Sequence, residues 1–423
     1  MKNNGFGESA GRRYVVVGAL GFAYMLNFLD RQLLAILVEP IRAELHLSDT
    51  QIGMLSGLMF ALFYTLFGIP VAIIADRGNR IRLVAAACGL WSLFTALSGF
   101  ARGFASLAFA RIGVGIGEAG CAPPSFSILS DYFPPEQRGR ALALYALGIP
   151  AGSFIGAFAG GWIAAEYGWR TAFLALGAVG LAFAPLLPLI VREPQRGRYD
   201  APRETIDQPG IAQTLAFFWH SPLFILTSLG CGLTAFCGYG LLSWTPAYLG
   251  RVQGMTLGQI SAFFAIASAG SMVLGAWIGA WIADRAGARN PVNYSRLPGF
   301  AFLASAPFIV GFGFADSWQA SLALLVPALI FTSIHFVPAL TLLQNRTPPQ
   351  YRATVSSILL FLINLIGLGC GPLFVGMMSD GLTPTHGDRA LGIALQSLAP
   401  FAILAFVCQM AAASQIRKEG HAA

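Results

Sequence analysis

Four ionisable residues lie deep inside two long apolar runs of the sequence. Asp30 and Arg31 are adjacent in the first run, and Arg111 and Glu118 are seven residues apart in the fourth run. Residues with that spacing share one face of a helix. A buried carboxyl group can lose and regain a proton, whereas arginine stays charged. The pattern predicts that Asp30 and Glu118 couple protons. The two arginines would hold the charged acids, or bind an anionic group when the acids are protonated.

The alternative for these four charges is a fixed ion network. A charge at bilayer depth costs at least about 2.5–3.5 kcal/mol on insertion scales, so it is a functional hypothesis by default. A buried network that only locks two helices together would use the same residues. We favour function for the two acids and leave both interpretations open for Arg111.

A second set of charged residues lies at the ends of apolar runs, and its pattern occurs twice. The segment 75–78 reads Ala-Asp-Arg-Gly, and 283–286 reads Ala-Asp-Arg-Ala, a little over 200 residues later. We expect Arg77 to contact Asp131 at the end of the fourth run. This helix-end set comprises Asp76, Arg77, Arg80, Asp131, Asp284 and Arg285. On composition alone it could equally be charge that sets the topology at the membrane surface.

The second half of the sequence carries polar rather than acidic residues inside its apolar runs. They are Tyr239 and Trp244 in the seventh run, His335 in the tenth and Asn364 in the eleventh. A lone histidine in an apolar helix is more often a hydrogen-bonded packing residue than a proton carrier. We predict that these four residues supply the polar contacts of the second half to a bound substrate, beside apolar side chains.

Twelve apolar runs must position these side chains. Of the 423 residues, 56% are hydrophobic and 11% are charged, against roughly 25% charged residues in soluble domains. The runs reach about 20 residues, the length that crosses a hydrocarbon core, and are too long for barrel strands. They cover 14–37, 51–75, 81–101, 104–131, 139–165, 170–191, 220–249, 258–283, 296–315, 319–345, 350–379 and 390–415. The sequence therefore predicts an all-α integral membrane protein with twelve transmembrane helices.

A charged stretch with several prolines divides the runs into six and six. Such composition is typical of an exposed linker, here with room for a short surface helix. The predicted organisation is a tail at 1–13, a six-helix unit at 14–191, a linker at 192–218, a six-helix unit at 219–415 and a tail at 416–423.

The basic residues predict how the chain crosses the membrane. Of the 26 lysines and arginines, Arg31 and Arg111 lie inside helices. If the N-terminus is cytoplasmic, 19 of the others fall on that side. The outer side then receives only Arg42, Arg102, Arg170, Arg251 and Arg389. Under the positive-inside rule this places both termini in the cytoplasm and the chain in the inner (plasma) membrane. Because the arginines punctuate apolar runs instead of forming a stripe, no nucleic-acid partner is predicted.

Short motifs indicate a family that the sequence resembles. The segment 76–80 reads Asp-Arg-Gly-Asn-Arg and resembles the signature motif of the major facilitator superfamily, with Ala72 and Asn79 where that motif has glycines. Its Asp-Arg-x-Asn-Arg form resembles the Spinster branch, whose best-known members move lysolipids and sphingosine phosphates. The segments 27–31, Asn-Phe-Leu-Asp-Arg, and 117–119, Gly-Glu-Ala, also agree with that branch.

The resemblance implies a fold, a function and a meeting point for the buried charges. The fold would be two pseudo-symmetric bundles of six helices, in which the first and fourth helices line a central cavity and bring the four charges together. The function would be secondary active transport by alternating access, proton-coupled, of an amphiphilic anion such as a lysolipid or sphingoid phosphate. The helix-end set would gate the two halves, and a monomer would suffice.

Other functions were weighed against this one. The anion:cation symporter branch shares Asp-Arg in the first helix and Glu in the fourth, so a proton-coupled symporter of small organic anions is the alternative. Such a symporter would more naturally place a cation in the second half as well, which favours an amphiphile. No nucleotide, metal or nucleophile constellation occurs, so no enzyme, cofactor or metal is predicted. The expected partners are a small-molecule or lipid substrate, protons and membrane lipids.

Overall fold

Every element that the computed structural model describes is a helix. The structure describes residues 10–199 and 211–422, and these ranges contain no strand. The first nine residues of the predicted N-terminal tail, residues 200–210 of the predicted linker and the last residue of the C-terminal tail lie outside the described residues.

Six helical spans form the first half, and four of them consist of two parts. They are α1 (Ala10–Ile36 with Val38–Leu45), α2 (Asp49–Arg77), α3 (Arg80–Ser98), α4 (Phe104–Glu118 with Ala122–Tyr132), α5 (Pro135–Ala146 with Gly148–Tyr167) and α6 (Trp169–Phe183 with Leu187–Ile190). The two parts of α1 meet at 56° around Leu37. Pro40 follows closely, and a proline ring clashes with the carbonyl of the preceding turn. Pro123 and Pro124 begin the second part of α4 and interrupt it for the same reason.

Six further spans form the second half, after a linker helix at Ile211–Trp219. They are α7 (Pro222–Arg251), α8 (Leu257–Gly287), α9 (Asn293–Phe314), α10 (Trp318–Ser333 with Phe336–Asn345), α11 (Arg352–Leu362, Ile363–Cys370 and Gly371–His386) and α12 (Ala390–Gln396 with Ala399–Ala422). Part of α8 and the middle of α11 are wound as π-helix.

The number of spans agrees with the sequence. Ten helical stretches are long and apolar enough to cross a membrane, and the bent α1 is an eleventh. The last stretch, Thr354–Glu419, contains two spans, because the turn at Gly387–Arg389 separates α11 from α12. The predicted all-α fold of twelve transmembrane helices is therefore confirmed.

Close packing of α5 on α1 holds the N-terminal helix in place. A Cβ atom at Gly156 would lie 2.5 Å from the carbonyl oxygen of Leu29. Only glycine allows the two backbones to approach so closely. This contact lies beside Asp30 and Arg31, so it fixes the position from which the α1 charges reach their partners.

Among the described residues, the large apolar cluster that joins the two halves lies at one end of the molecule. We call this end the Arg251 end and the opposite one the Asp76 end. At the Arg251 end a single apolar cluster joins both halves, with Leu37 and Trp244 among its members. Towards the Asp76 end the core divides into one cluster of the first half, which Leu368 of α11 joins, and two clusters of the second half. The two halves thus share a core at the Arg251 end and have separate cores towards the Asp76 end.

Candidate functional site

The four buried charges meet as two ion pairs between α1 and α4. Arg31 Nε lies 2.8 Å from Glu118 Oε2, and Arg111 Nη1 lies 2.8 Å from Asp30 Oδ2. Both acids and Arg111 are at most 2% exposed, whereas the Arg31 side chain is 15% exposed. The structure therefore brings together the residues that the resemblance expects to meet. It also separates them into one sealed pair and one pair that solvent can reach.

The local sequence explains why the pairs form. Arg111 and Glu118 occupy one face of α4 two turns apart, which matches two successive partners on α1. Between them, Gly115 lets α2 come close, since a Cβ there would lie 2.9 Å from the carbonyl oxygen of Phe60. Burial of a lone charge costs several kcal/mol, and a partner with good geometry offsets that cost.

The two acids differ in how many of their carboxylate oxygens accept a hydrogen bond. Asp30 accepts hydrogen bonds at both oxygens, from Thr95 Oγ1 at 2.6 Å and from Arg111 at 2.8 Å. Glu118 uses only Oε2, and its buried Oε1 accepts no hydrogen bond within the described part of the chain. An ionised carboxylate has about four acceptor positions. Glu118 therefore has room to accept a proton without losing another hydrogen bond.

Aromatic rings that were not predicted from the sequence surround the Arg31 guanidinium. Its Cζ lies 4.9 Å from the ring centre of Phe28, 4.7 Å from that of Phe60 and 5.0 Å from that of Tyr64. Phe60 also lies 5.5 Å from Cζ of Arg111. The available signal was the i,i+4 spacing of Phe60 and Tyr64, but apolar runs contain many such pairs.

Of the candidates in the second half, two are held by packing contacts. Trp244 is fully buried in the core at the Arg251 end, where its Nε1 donates to the carbonyl of Pro372 at 2.8 Å. This position gives no access to a substrate, so the structure does not support the predicted contact. His335 is half-buried, with Nδ1 2.8 Å from the carbonyl of Thr332 and its ring against Phe302. It fits the hydrogen-bonded packing residue that the sequence favours.

The other two candidates remain compatible with a role in binding. Tyr239 is half-buried and packs with the separate clusters of both halves. Asn364 is half-buried in the π-helical part of α11. A π-helical segment inside an α-helix is frequent at functional sites. Within the described ranges, no group of three His, Cys, Asp or Glu side chains could hold a metal ion.

Polar contacts cross between the halves at the Arg251 end. Arg251 of α7 donates to Glu39 at 2.6 Å and to Asp49 at 2.7 Å. Asp380 of α11 accepts the backbone amides of Asp49 and Thr50 at 3.0 and 2.7 Å, so it caps the N-terminus of α2 from the opposite half. These contacts do not follow from the sequence, because the ends of α1, α2, α7 and α11 that carry them meet only in the fold.

At the Asp76 end, one expected contact is wrong. Arg80, not Arg77, bonds Asp131, at 2.5 Å, and a second acid, Glu193, lies 2.6 Å from Arg80. Arg80 begins α3 and is 2% exposed, whereas Arg77 ends α2 and is exposed. The chain changes direction between Arg77 and Arg80, so only Arg80 is turned into the bundle. Asp76 is likewise exposed.

The second copy of the motif resembles the first in its exposure. Asp284 and Arg285 lie in the π-helical end of α8, and both are exposed. No ion pair between the halves joins Asp76, Arg77, Asp284 or Arg285 in the part of the chain that the structure describes.

Known proteins similar to this chain are membrane transporters. The sequence model of the Major Facilitator Superfamily matches residues 20–372. An MFS-type efflux pump of Mycolicibacterium smegmatis is 34% identical, with 96% of this chain and 94% of that protein covered. Protein spinster homolog 1 of Homo sapiens is 29% identical, covering 89% of this chain and 75% of that protein. The hexuronate transporter of Bacillus subtilis is 26% identical, covering 93% and 94%.

A solved structure is similar over nearly the whole chain. It is a bacterial homolog of the human lysosomal transporter Spinster, in an inward-facing and unoccupied conformation. The TM-score is 0.89 at 30% sequence identity, with 97% of this chain and 98% of that chain covered.

Proposed function

Because the chain belongs to the major facilitator superfamily and is Spinster-like, we propose that it is a proton-coupled transporter of an amphiphilic anion that works by alternating access. Membership supports secondary transport in a membrane rather than catalysis. The coupling ion, the substrate class and the roles of single residues are inferred from the site.

The uncommitted oxygen of Glu118 carries the proposal. With Glu118 ionised, its other oxygen holds Arg31, and the two acids and two arginines of the site sum to zero charge. A proton on Glu118 removes the counter-ion of Arg31 and leaves the site with one net positive charge. An anionic substrate restores neutrality. Proton and substrate binding are thereby linked through one arginine.

The exposures support different roles for the two arginines. Arg31 is 15% exposed and Arg111 only 1%, so Arg31 is the one that meets the substrate. Arg111 and Asp30 form the sealed pair, which holds α1 against α4 and sets the field around Glu118. The prediction that Asp30 also carries a proton stays a prediction, and its two committed oxygens favour Glu118 as the first acceptor.

The asymmetry of the halves supports an amphiphile. All four charges at mid-depth belong to the first half, whereas Asp284, Arg285 and Arg251 of the second half lie at or near helix ends. From the second half, Tyr239 of α7 and Leu368 of α11 pack against the core of the first half, and such apolar contacts fit an acyl chain better than a second charged group. The spinster homologs among the relatives favour this class. The similarity to a hexuronate transporter keeps a proton-coupled symporter of small organic anions as the alternative.

The conformation is inward-facing in this proposal. The basic residues place the Asp76 end and both termini in the cytoplasm. The halves are closed by Arg251 and Asp380 on the outer side and separate on the cytoplasmic side. The inward-facing state of the similar bacterial structure supports this assignment.

In the opposite state, the cytoplasmic side would be closed by four exposed charges: Asp76, Arg77, Asp284 and Arg285. Arg80 and Asp131 hold α3 to α4 in this scheme. We propose a multi-pass monomer of the plasma membrane.

Proton coupling is tested with Glu118→Gln, and Glu166→Gln is the control because Glu166 is exposed at the end of α5. The proteins are reconstituted into vesicles, and uptake is driven by an imposed proton gradient. We expect Glu118→Gln to abolish driven uptake and to keep substrate exchange without a gradient, since the amide mimics the protonated acid. Driven uptake that survives in Glu118→Gln would reject the proposal.

The substrate class is tested by thermal stabilisation of the purified protein. A ligand that binds only the folded state raises the melting temperature by mass action. Lysophospholipids and sphingoid phosphates are compared with small carboxylates and sugar acids, in wild type and in Arg31→Gln. Stabilisation by the amphiphiles alone, lost in Arg31→Gln, is expected. Stabilisation by small acids alone would select the symporter alternative.

A further inference from the structure

Three aromatic rings enclose the one arginine of the site that solvent reaches. We call Phe28, Phe60 and Tyr64 the aromatic box. Their ring centres lie 4.7–5.0 Å from Cζ of Arg31, within the range of a cation–π contact. Phe60 is 1% exposed and also faces Arg111 at 5.5 Å, so its ring touches both arginines of the network.

Neighbouring rings hold the box in shape. Phe60 and Tyr64 are stacked along α2, with ring centres 5.7 Å apart. Phe28 is buttressed by the edge of Tyr24 at 5.2 Å, and Tyr24 is stacked on Tyr145 of α5 at 4.5 Å. Such contacts contribute beyond the apolar area that they bury. The box residues therefore come from α1 and α2, and stacking of Tyr24 on Tyr145 supports Phe28 from α5.

The box matters most when Glu118 is neutral, and the reasoning here rests on the proposed function. Glu118 is the only carboxylate that pairs with Arg31 in the described ranges. If Glu118 takes up a proton, the guanidinium loses its counter-ion, and a buried charge without a partner is strongly unfavourable. A long arginine side chain can then move towards water. Ring faces attract the cation and oppose that movement.

A guanidinium group can make hydrogen bonds and cation–π contacts at the same time, because the two kinds of contact use different parts of the group. Its five N–H donors lie in the molecular plane and match an oxyanion, while cation–π contacts engage its faces. A box of rings can thus hold the charge without using the donors that a carboxylate or phosphate group needs.

We propose that the aromatic box is a positioning element for the substrate: it keeps Arg31 in the site, with its N–H edge free, during the proton-loaded step in which Glu118 no longer holds it. The ligand that this arrangement prepares for is a single oxyanionic group. The box residues are positioning residues, because they act on the substrate through Arg31.

The test changes the electrostatics of the Phe60 ring and almost nothing else. Fluorinated phenylalanines with one, two or three fluorines are introduced at position 60 by nonsense suppression, in the Glu118→Gln background. Each fluorine weakens the negative face of the ring at nearly constant size. The readout is the rate at which phenylglyoxal modifies Arg31, resolved by peptide mass spectrometry, with exposed Arg102 as the internal standard.

We expect the Arg31 modification rate to rise stepwise with each fluorine as the cation–π contact weakens, reaching about tenfold with three, which corresponds to about 1.4 kcal/mol. The same series at Phe28 should show the same direction. Phe63 lies three positions after Phe60 on α2 and stacks on Phe67; it is the matched control and should show no trend. A flat series at both Phe60 and Phe28, or an equal slope at Phe63, would overturn the inference.

The outcome is separable from that of the proposed function. The labelling needs no substrate and no proton gradient. If Glu118→Gln retains driven uptake but the fluorine series still has its slope, the box holds Arg31 and the coupling scheme is wrong. If uptake is abolished and the series is flat, the coupling scheme stands and the box is only packing.

Discussion

Removing the charge of Asp380 should loosen the closed Arg251 end. Its carboxylate caps the first two amides of α2 from the opposite half, at 3.0 and 2.7 Å. Asp380→Asn keeps the shape and one acceptor oxygen, but its NH2 group cannot accept the hydrogen bond of the second amide, and the charge at the helix N-terminus is lost. Hydrogen bonds to charged groups contribute about 1.5–3 kcal/mol each, and the helix-end charge about 0.3–1 kcal/mol. Asp380 is half-buried, so we take a total loss of about 2 kcal/mol. That shifts the equilibrium away from the closed outer end roughly 30-fold.

The shift is measured by double electron–electron resonance between spin labels on opposite halves. Ala43 and Asp316 are exposed positions at the Arg251 end, one in each half. The Asp380→Asn variant should gain a population with a longer distance, whereas Asp388→Asn, an exposed acid at the same end, should match the wild type. A distance distribution that does not change in Asp380→Asn would refute the view that this cap helps to hold the outer end closed.

Three further predictions concern packing and stability. Trp244→Phe should lower the melting temperature, because it loses the buried hydrogen bond to the Pro372 carbonyl at a cost of about 1–3 kcal/mol. Stabilisation by ligand should not change, and its loss would indicate that Trp244 contacts the substrate. Arg80→Ala should destabilise by about 3–5 kcal/mol, because it leaves buried acid unpaired, while Arg77→Ala should stay within about 0.5 kcal/mol; equal effects in thermal denaturation would contradict this difference. Gly53→Ala should open the Arg251 end, since its Cβ would lie 2.6 Å from the carbonyl oxygen of Pro372; a longer distance between labels at Ala43 and Asp316 is the expected sign, and an unchanged distance would show that the contact relaxes.

The spans and the buried charges follow from short-range rules in the sequence. Apolar length predicts each helix, and the spacing of Arg111 and Glu118 predicts a shared face on α4. Which acid pairs with which arginine does not follow from spacing. It depends on the rotation of α1 against α4, which close packing of glycines such as Gly156 sets.

Some functional residues could not be predicted from the sequence because their roles depend on contacts between distant parts of the chain. Phe60 is one of 33 phenylalanines in the sequence, and only its place over two guanidinium groups distinguishes it. Asp380 and Arg251 lie at ends of helices far apart in sequence, and they become a unit only when the halves close. Trp244 illustrates the opposite error, because the sequence does not say which face of α7 is turned to the cavity and which to the core.

The central claim is that Glu118 takes up the proton that releases Arg31. The most direct measurement is pH-induced infrared difference spectroscopy of the reconstituted protein, which detects the C=O stretch of a newly protonated carboxyl group. We predict a carboxyl band on acidification that is lost in Glu118→Gln and retained in Glu166→Gln. A band that persists in Glu118→Gln and disappears in Asp30→Asn would contradict the account and move proton uptake to the sealed pair.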